Sequence, residues 1–378
     1  MKPLASLLVF AAGVASLRAQ APNPLPVFAG STHVFVLVEV DGTVKTWGSP
    51  EDGEGPYLGD GSARPRSEPA PLPGVRGIAS AAVGHQQVLL LGRDGAVYAW
   101  GRNNACEVGS GDEKSRKTPI QVAGLRDAVQ VAAGEGISGA VLKDGTVWMW
   151  GSADRGQLGN GSRGRDAACA KRPVRVEGLS GVKKIALDGY NVIALKEDGT
   201  VWGWGANGGA LGDGSLEPRP RPVQMQGIAQ AVDIALAGTA AIVLADGTVR
   251  MTGAAAVEWG EVKPGAPVRT TAFPVPGVAH AVSVRKSSGT TIVRLRDGSL
   301  LGWGNGYFGV LGDGQGAREL SKPHAPTGLG AVLAHYMMDS ENFAVRADGT
   351  VMAWGIYDYE KDKWVTRPVP VFKVKLAE

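Results

Sequence analysis

One motif recurs seven times along this chain and constrains the fold more than anything else in it. The motif is Asp-Gly, any residue, an aliphatic, two residues, then Trp-Gly. The copies begin at Asp41, Asp94, Asp144, Asp198, Asp246, Asp297 and Asp348, at spacings of 48 to 54 residues. The Trp position holds Trp47, Trp100, Trp150, Trp204, Trp303 and Trp354, and Thr252 in the fifth copy. A period of this length marks a unit that cannot bury its apolar face alone and stacks on its neighbours.

Each unit reads as strands. A β-rich run precedes each Asp-Gly (Val34 to Val40, Val88 to Leu91, Ile292 to Leu295) and another follows it, as in Val147 to Trp150. Asp-Gly between two such runs is a hairpin signal, expected here as a type I′ turn with positive φ at both residues. The runs are apolar at successive positions, which suits a sheet covered on both faces. A second turn follows: Leu58-Gly-Asp-Gly61, Val108-Gly-Ser-Gly111, Leu158-Gly-Asn-Gly161, Leu211-Gly-Asp-Gly214 and Leu311-Gly-Asp-Gly314. The fifth and seventh repeats lack it. A Pro-led strand comes next, such as Pro119 to Val122, in keeping with a sheet edge. A short strand such as Val129 to Ala133 completes the unit. Glycine, at 56 residues, supplies the turns. The expected fold is all-β: a seven-bladed β-propeller of four-stranded antiparallel blades. The Trp rings are read as structural, filling the gap between blades.

These residues resemble the regulator-of-chromosome-condensation repeat family. Gly156-Gln157-Leu158-Gly159 matches that family's turn in full, and Gly30, His33 and Asp41-Gly42 match its opening element. The resemblance covers the chain from about Leu25 to the end and implies a seven-bladed propeller. It does not fix a function. The family's eukaryotic founder exchanges nucleotide on a small nuclear GTPase and sits on chromatin. Secreted bacterial members that inhibit β-lactamase through loops on one face are closer in layout. No contact residue carries over from either.

The ends and the charge narrow the setting. Lys2, an apolar run from Leu4 to Leu17 and Leu17-Arg18-Ala19 read as an export signal over 1–19, with cleavage after Ala19 or Ala21. A short linker, 20–24, then leads to the propeller, 25–378. Removing the signal takes Lys2 and Arg18 and no acid, so the formal charge falls from +3 to +1. That is too little for duplex nucleic acid, and no other segment is apolar enough to span a membrane. The expected location is secreted or periplasmic. The two cysteines, Cys106 and Cys169, are a candidate disulfide joining equivalent connections of neighbouring blades.

No catalytic signature appears. The five histidines lie in no metal-binding spacing, the Gly-rich strings are turns at the repeat period, and no cofactor or metal is indicated. The expected function is binding: a scaffold for an unknown protein partner of the envelope or extracellular space. A glycan-binding propeller is the alternative, with an exported hydrolase behind it. The Asp-Gly rim is minimal, whereas the connections after each Trp-Gly vary in length and carry recognition in such scaffolds. Aromatics concentrate there on the last two blades, which makes Tyr307, Phe308, Tyr357, Tyr359 and Trp364 candidate partner-binding residues. Two structural expectations remain. Leu25 to Ala29 should pair with Pro368 to Val374 to close the ring. The fifth blade should be the least stable, unless Trp259 fills the place of the missing Trp.

Overall fold

A computed structural model describes residues 25–377, apart from 32–33, 49–57, 63, 165–166, 254–267, 288, 317–318, 339–340 and 359–362. It contains seven four-stranded antiparallel sheets, each built in chain order. The blades span 27–71, 78–121, 128–175, 182–224, 231–274, 281–324 and 334–373. The first strands neighbour one another around the whole ring, from Val27–Gly30 through Ala334–Met338 and back, so they surround the axis. Second strands such as Gln87–Gly92 are buried throughout, because each is covered by a blade on either side. Outer strands such as Arg116–Gln121 and Ala170–Arg175 put charged and Pro residues on the exposed edge, which discourages pairing with another chain. No helix among the described residues is long and apolar enough to cross a membrane.

The Asp-Gly hairpins differ from the expected type I′ form. Each Gly has positive φ, as at Gly42 (86°) and Gly95 (79°), but none of the seven Asp residues does. The Gly N–H donates back to the residue three earlier, as from Gly42 to Glu39 O at 2.9 Å and from Gly145 to Leu142 O at 2.9 Å. The Asp is therefore the third residue of an ordinary four-residue turn, and only the glycine that ends it is left-handed. The carboxylate is used instead: Asp144 Oδ1 accepts the Thr146 N–H at 2.9 Å, and Asp198 Oδ1 accepts that of Thr200 at 3.0 Å. The Thr200 hydroxyl, donating to Asp198 Oδ1 at 2.6 Å, and the Thr200 N–H hold Asp198 at a pKa of about 2.

Both turn motifs also fasten one blade to the next. The Asp-Gly glycine carbonyl accepts the N–H that opens the following blade, as from Ala128 to Gly95 at 3.1 Å and Ala231 to Gly199 at 2.9 Å. On the other rim, the second glycine of each Leu-Gly-x-Gly turn donates to the outer segment of the following blade. The bonds run from Gly111 to Lys171 O (2.8 Å), Gly161 to Pro220 O (2.9 Å) and Gly214 to Thr270 O (2.9 Å). The Trp of the following blade rests on this turn and donates to it: Trp150 Nε1 to Glu107 O, Trp204 to Gln157 O and Trp354 to Val310 O, each at 2.9 Å. Five of the six Trp rings are wholly buried. The Trp is thus a hydrogen-bonded key as well as a filler.

The fifth blade keeps this key in a smaller form. Thr252 is buried, and its hydroxyl donates to Ala210 O at 2.6 Å, where the indole N–H donates in other blades. The indole N–H of Trp303, next around the ring, has no acceptor among the described residues. Trp259 and the rest of 254–267 lie outside them. On the axis, Asp233 ties three blades together. Its carboxylate pairs with Lys184 of blade 4 and accepts the Val284 N–H of blade 6 at 2.9 Å, with Arg285 at 3.5 Å.

The ring is closed, but not by the expected strand pairing. Val27–Gly30 pairs with Phe35–Val38 inside blade 1, and Val369–Lys373 pairs with Thr350–Trp354 inside blade 7. Every sheet is complete within one contiguous stretch, so no strand is left to exchange. The seam is a side-chain joint. Phe28 stacks on Phe343 at 5.3 Å and lies 6.1 Å from Phe372, and the Tyr336 hydroxyl donates to Pro26 O at 2.6 Å. The chain end also occupies the Asp-Gly clasp, since Val374 N–H donates to Gly349 O at 2.9 Å.

Candidate functional site

The rim opposite the Asp-Gly turns carries two kinds of segment. One is the turn between first and second strands, such as 84–87. The other is the connection after Trp-Gly, such as 102–115. Buried asparagines fix the connections of blades 2 and 4. Asn103 donates through Nδ2 to Asp112 O (2.8 Å) and Ser110 Oγ (3.1 Å), and its Oδ1 accepts the Val108 N–H at 2.9 Å. Asn207 does the same with Glu217 O (2.8 Å) and the Gly209 N–H (3.0 Å). One side chain thus organises a whole loop and preforms its surface. Cys106 and Cys169 are bonded to each other, with Cα atoms 5.8 Å apart, which staples the blade 2 connection to that of blade 3. Cys106 is wholly buried, at a positive φ of 66°.

These loops enclose a cleft of ≈ 330 Å³ across blades 2, 3 and 4. His85, Gln86 and Gln87 come from the first turn of blade 2, and Arg102, Asn104 and Glu107 from its connection. Glu135 and Gly136, Ser152, Asp154 and Gln157, and then Gly189 and Tyr190 complete the lining in the same order around the ring. Glu107 is only 4% exposed. Its Oε2 accepts the Ala105 N–H at 2.7 Å, and burial pushes its pKa up from the ordinary carboxylate value. Tyr190 is half exposed, with the Arg155 guanidinium 5.7 Å from its ring centre. Asp154 pairs with Arg155 at 3.2 Å. His335, by contrast, is held neutral by burial, with a pKa near 3, and contacts Asn342 at 2.9 Å as a structural residue.

The aromatic group expected on blades 6 and 7 is partly visible. Tyr307 and Phe308 are 50% and 49% exposed in a short 3-10 turn, and Phe308 has a positive φ of 62°. Phe308 packs against half-buried Trp364 at 4.5 Å between ring centres. Tyr357 pairs with Trp364 through its backbone in a two-stranded ribbon, Tyr357–Asp358 with Lys363–Trp364. The Tyr357 side chain and all of Tyr359 lie outside the described residues, as does His33. Phe308 and Trp364 are therefore together, Tyr307 is exposed in the same turn as Phe308, and the Tyr357 ring and Tyr359 are not placed. The cleft on blades 2 to 4 was not anticipated from the sequence. Its signal was Glu107, which stands where the following repeat has Gln157 in Gly-Gln-Leu-Gly.

The comparisons agree with this architecture. A family model for the regulator of chromosome condensation (RCC1) repeat matches residues 94–141 and 144–195, the second and third repeats from one Asp-Gly to the following strands. The E3 ubiquitin-protein ligase HERC2 of Homo sapiens is 31% identical over 211 residues, as is that of Mus musculus. That match takes in 50% of this chain but only 4% of the length of those relatives. Among solved structures, yeast RCC1 (Prp20) bound to Kap60 superposes with a TM-score of 0.70 at 19% identity, over 84% of this chain and 82% of that one. Human WBSCR16 superposes with a TM-score of 0.65 at 21% identity, over 82% and 84%. Two of the repeats match the RCC1 repeat model, and the chain folds as a seven-bladed propeller similar to that of yeast RCC1.

Proposed function

We propose that this protein is an exported binding module that captures a protein partner with the loop rim of its propeller. The observation that carries the reading is the asymmetry of the two rims. The Asp-Gly rim repeats one minimal turn seven times. The other carries loops of differing sequence, and those of blades 2 to 4 are fixed by Asn103, Asn207 and the Cys106–Cys169 bond. Rigid, individual loops on a uniform scaffold are suited to recognition, because little ordering entropy is left to lose on binding. Propellers of this type bind proteins elsewhere: yeast RCC1 (Prp20) is described bound to Kap60, and a second structure of Prp20p is described together with its binding properties to Gsp1p and histones. The charge of +1 expected after removal of 1–19 separates this chain from a chromatin role, and a disulfide fits an oxidising compartment.

Two measurements test the reading. The N-terminal mass of the protein recovered outside the cytoplasm should begin at Gln20 or Pro22; an intact Met1 in the cytoplasm would contradict export. Capture of a partner from envelope extract should be lost when Tyr190 and Tyr307 are replaced by Ala and kept when Thr200 and Thr248 of the Asp-Gly rim are. The reverse pattern would place binding on the wrong face. The exposed Phe308 ring, tilted against Trp364, favours glycan binding as the second reading, since exposed aromatic faces stack on sugar rings. A glycan array in which Phe308→Ala abolishes signal would select it.

A further inference from the structure

The sequence contains three Asn-Gly pairs, Asn160-Gly161, Asn207-Gly208 and Asn305-Gly306. In such a pair the glycine nitrogen can attack the side-chain carbonyl carbon of the asparagine, because no Cβ on the second residue blocks the approach. All three pairs lie on the loop rim, and all three share one local turn. The asparagine Oδ1 accepts the N–H two residues on, from Ser162 at 3.0 Å, Gly209 at 3.0 Å and Tyr307 at 2.9 Å. This turn folds the side chain back over its own backbone. It also puts a donor on the oxygen that gains charge when the carbon is attacked.

Beyond that turn the fold treats the three differently. At Asn160 the attacking nitrogen is tied up. Gly161 N–H donates to Pro220 O at 2.9 Å, and the Arg221 guanidinium covers this glycine so closely that an added Cβ would stand 2.9 Å from it. The bond is one of the fasteners between blades, so freeing the nitrogen opens a joint. At Asn207 the leaving group is tied up. The residue is 3% exposed, and its Nδ2 donates to Glu217 O at 2.8 Å, Ser215 O at 3.1 Å and Asp213 Oδ1 at 3.2 Å. Asn305 has neither restraint. Among the described residues its Nδ2 and the Gly306 N–H have no partner, and the residue is half-buried. Its backbone is nonetheless fixed, with the N–H donating to Gly289 O at 2.8 Å and the carbonyl accepting the Thr290 hydroxyl.

We infer that Asn305 is a site of spontaneous deamidation, and that the fold protects the other two pairs from the same reaction. The Gly306 nitrogen attacks Asn305 Cγ, forms the N–Cγ bond and loses its proton to water, while the side-chain nitrogen leaves as ammonia. The product is a cyclic imide. Water then opens the ring at either carbonyl, giving an aspartyl or an isoaspartyl residue. One water is consumed and one ammonia released, with no change of oxidation state. Either product places a new carboxylate just before the exposed Tyr307 and Phe308. The isoaspartyl form also lengthens the backbone there by one carbon. The aromatic corner of the rim is therefore altered with age, by chemistry that stands independently of the binding role proposed above.

The test incubates the folded mature protein, and a sample unfolded in guanidinium chloride, at pH 8. Peptides carrying residues 160, 207 and 305 are then followed by mass spectrometry with isoaspartate-specific methylation. In the folded protein residue 305 is expected to lose its amide at least about tenfold faster than residues 160 and 207, because each of those must first break hydrogen bonds that Asn305 does not make. In the unfolded sample the three should react at similar rates. A folded rate at residue 305 no greater than that at 160 or 207, or the same spread of rates in both samples, would overturn the inference.

Discussion

Two side chains show how position, more than residue type, sets a role in this repeat. Glu107 and Gln157 occupy the same place in consecutive blades, and both cap their loops through one side-chain oxygen. Only Glu107 can ionise. Its folded pKa lies above the unfolded value, so above that folded pKa the wild type carries a penalty. The penalty is relieved as pH falls toward the unfolded carboxylate range, where both states are protonated. Glu107→Gln should therefore melt at a higher temperature than wild type at pH 7 to 8, with the gap closing as pH is lowered to about 4. A pH-independent gap, or destabilisation at pH 7, would show that the charge is compensated in the folded protein. Thr252 makes the opposite case, a polar group that is needed. Thr252→Val should cost about 1–3 kcal/mol, because it leaves the buried Ala210 carbonyl unpaired at nearly constant volume. Denaturant titration reads this directly, and Thr252→Ser should recover most of the loss.

At the scale of the element, the Leu-Gly-x-Gly turn was legible as a turn but not as a fastener. Its glycines sit at positive φ, which their sequence announces. What no single repeat shows is that the Trp of the following blade lies against them. A Cβ on Gly159 would stand 2.9 Å from Trp204 Nε1, at a φ of 68°. Gly159→Ala should accordingly destabilise by roughly 1–3 kcal/mol or more, and its near-ultraviolet circular dichroism should lose Trp signal. Gly178→Ala, at φ 72° with open space around it, provides the backbone-strain control. The type of the Asp-Gly hairpin was misread for a related reason. Asp-Gly is common to several hairpins, and here the Asp side chain is used as an acceptor, so the backbone need not become left-handed at Asp. The connections on the other rim are held by longer-range ties. Cys169→Ser should remove up to about 4 kcal/mol in the chain-entropy account of a loop closed over a separation of 63 residues. It should also raise amide exchange over 103–114 ahead of the rest of blade 2. Unchanged exchange there would mean Asn103 alone holds the loop.

For the whole molecule, the period and the count of blades were readable because the same eight-residue signature recurs with little variation. The seam was not, because strand pairing and side-chain packing both bring the two ends of a ring together and leave the same sequence trace. Phe28, Phe343 and Phe372 are scattered over 345 positions and form one cluster only in the folded ring. The cleft was hidden likewise, since its lining is drawn from three blades and only Glu107 departs visibly from the repeat pattern. The fifth blade was singled out for what it lacks, yet Asp233 binds it to blades 4 and 6 through polar contacts on the axis.

That every sheet is complete within one contiguous stretch has a consequence for where such a chain has to begin. If no strand crosses the seam, the seam is one inter-blade joint among seven, and the order in which the blades are written is free. A rearranged gene that joins residue 374 to residue 27 through a short flexible linker and starts instead at Leu125 should encode the same ring. The exposed turn at Gly124, where even an added Cβ meets nothing within 4 Å, can be opened without cutting a sheet. Such a permutant should melt cooperatively and keep the Cys106–Cys169 bond, now joining the first blade of the chain to its last. Cutting within a blade, between Val97–Gly101 and Arg116–Gln121, should not be tolerated in the same way. The unit that can be moved, duplicated or made terminal in this protein is therefore the sheet itself, and its sequence grammar coincides with its mechanical parts.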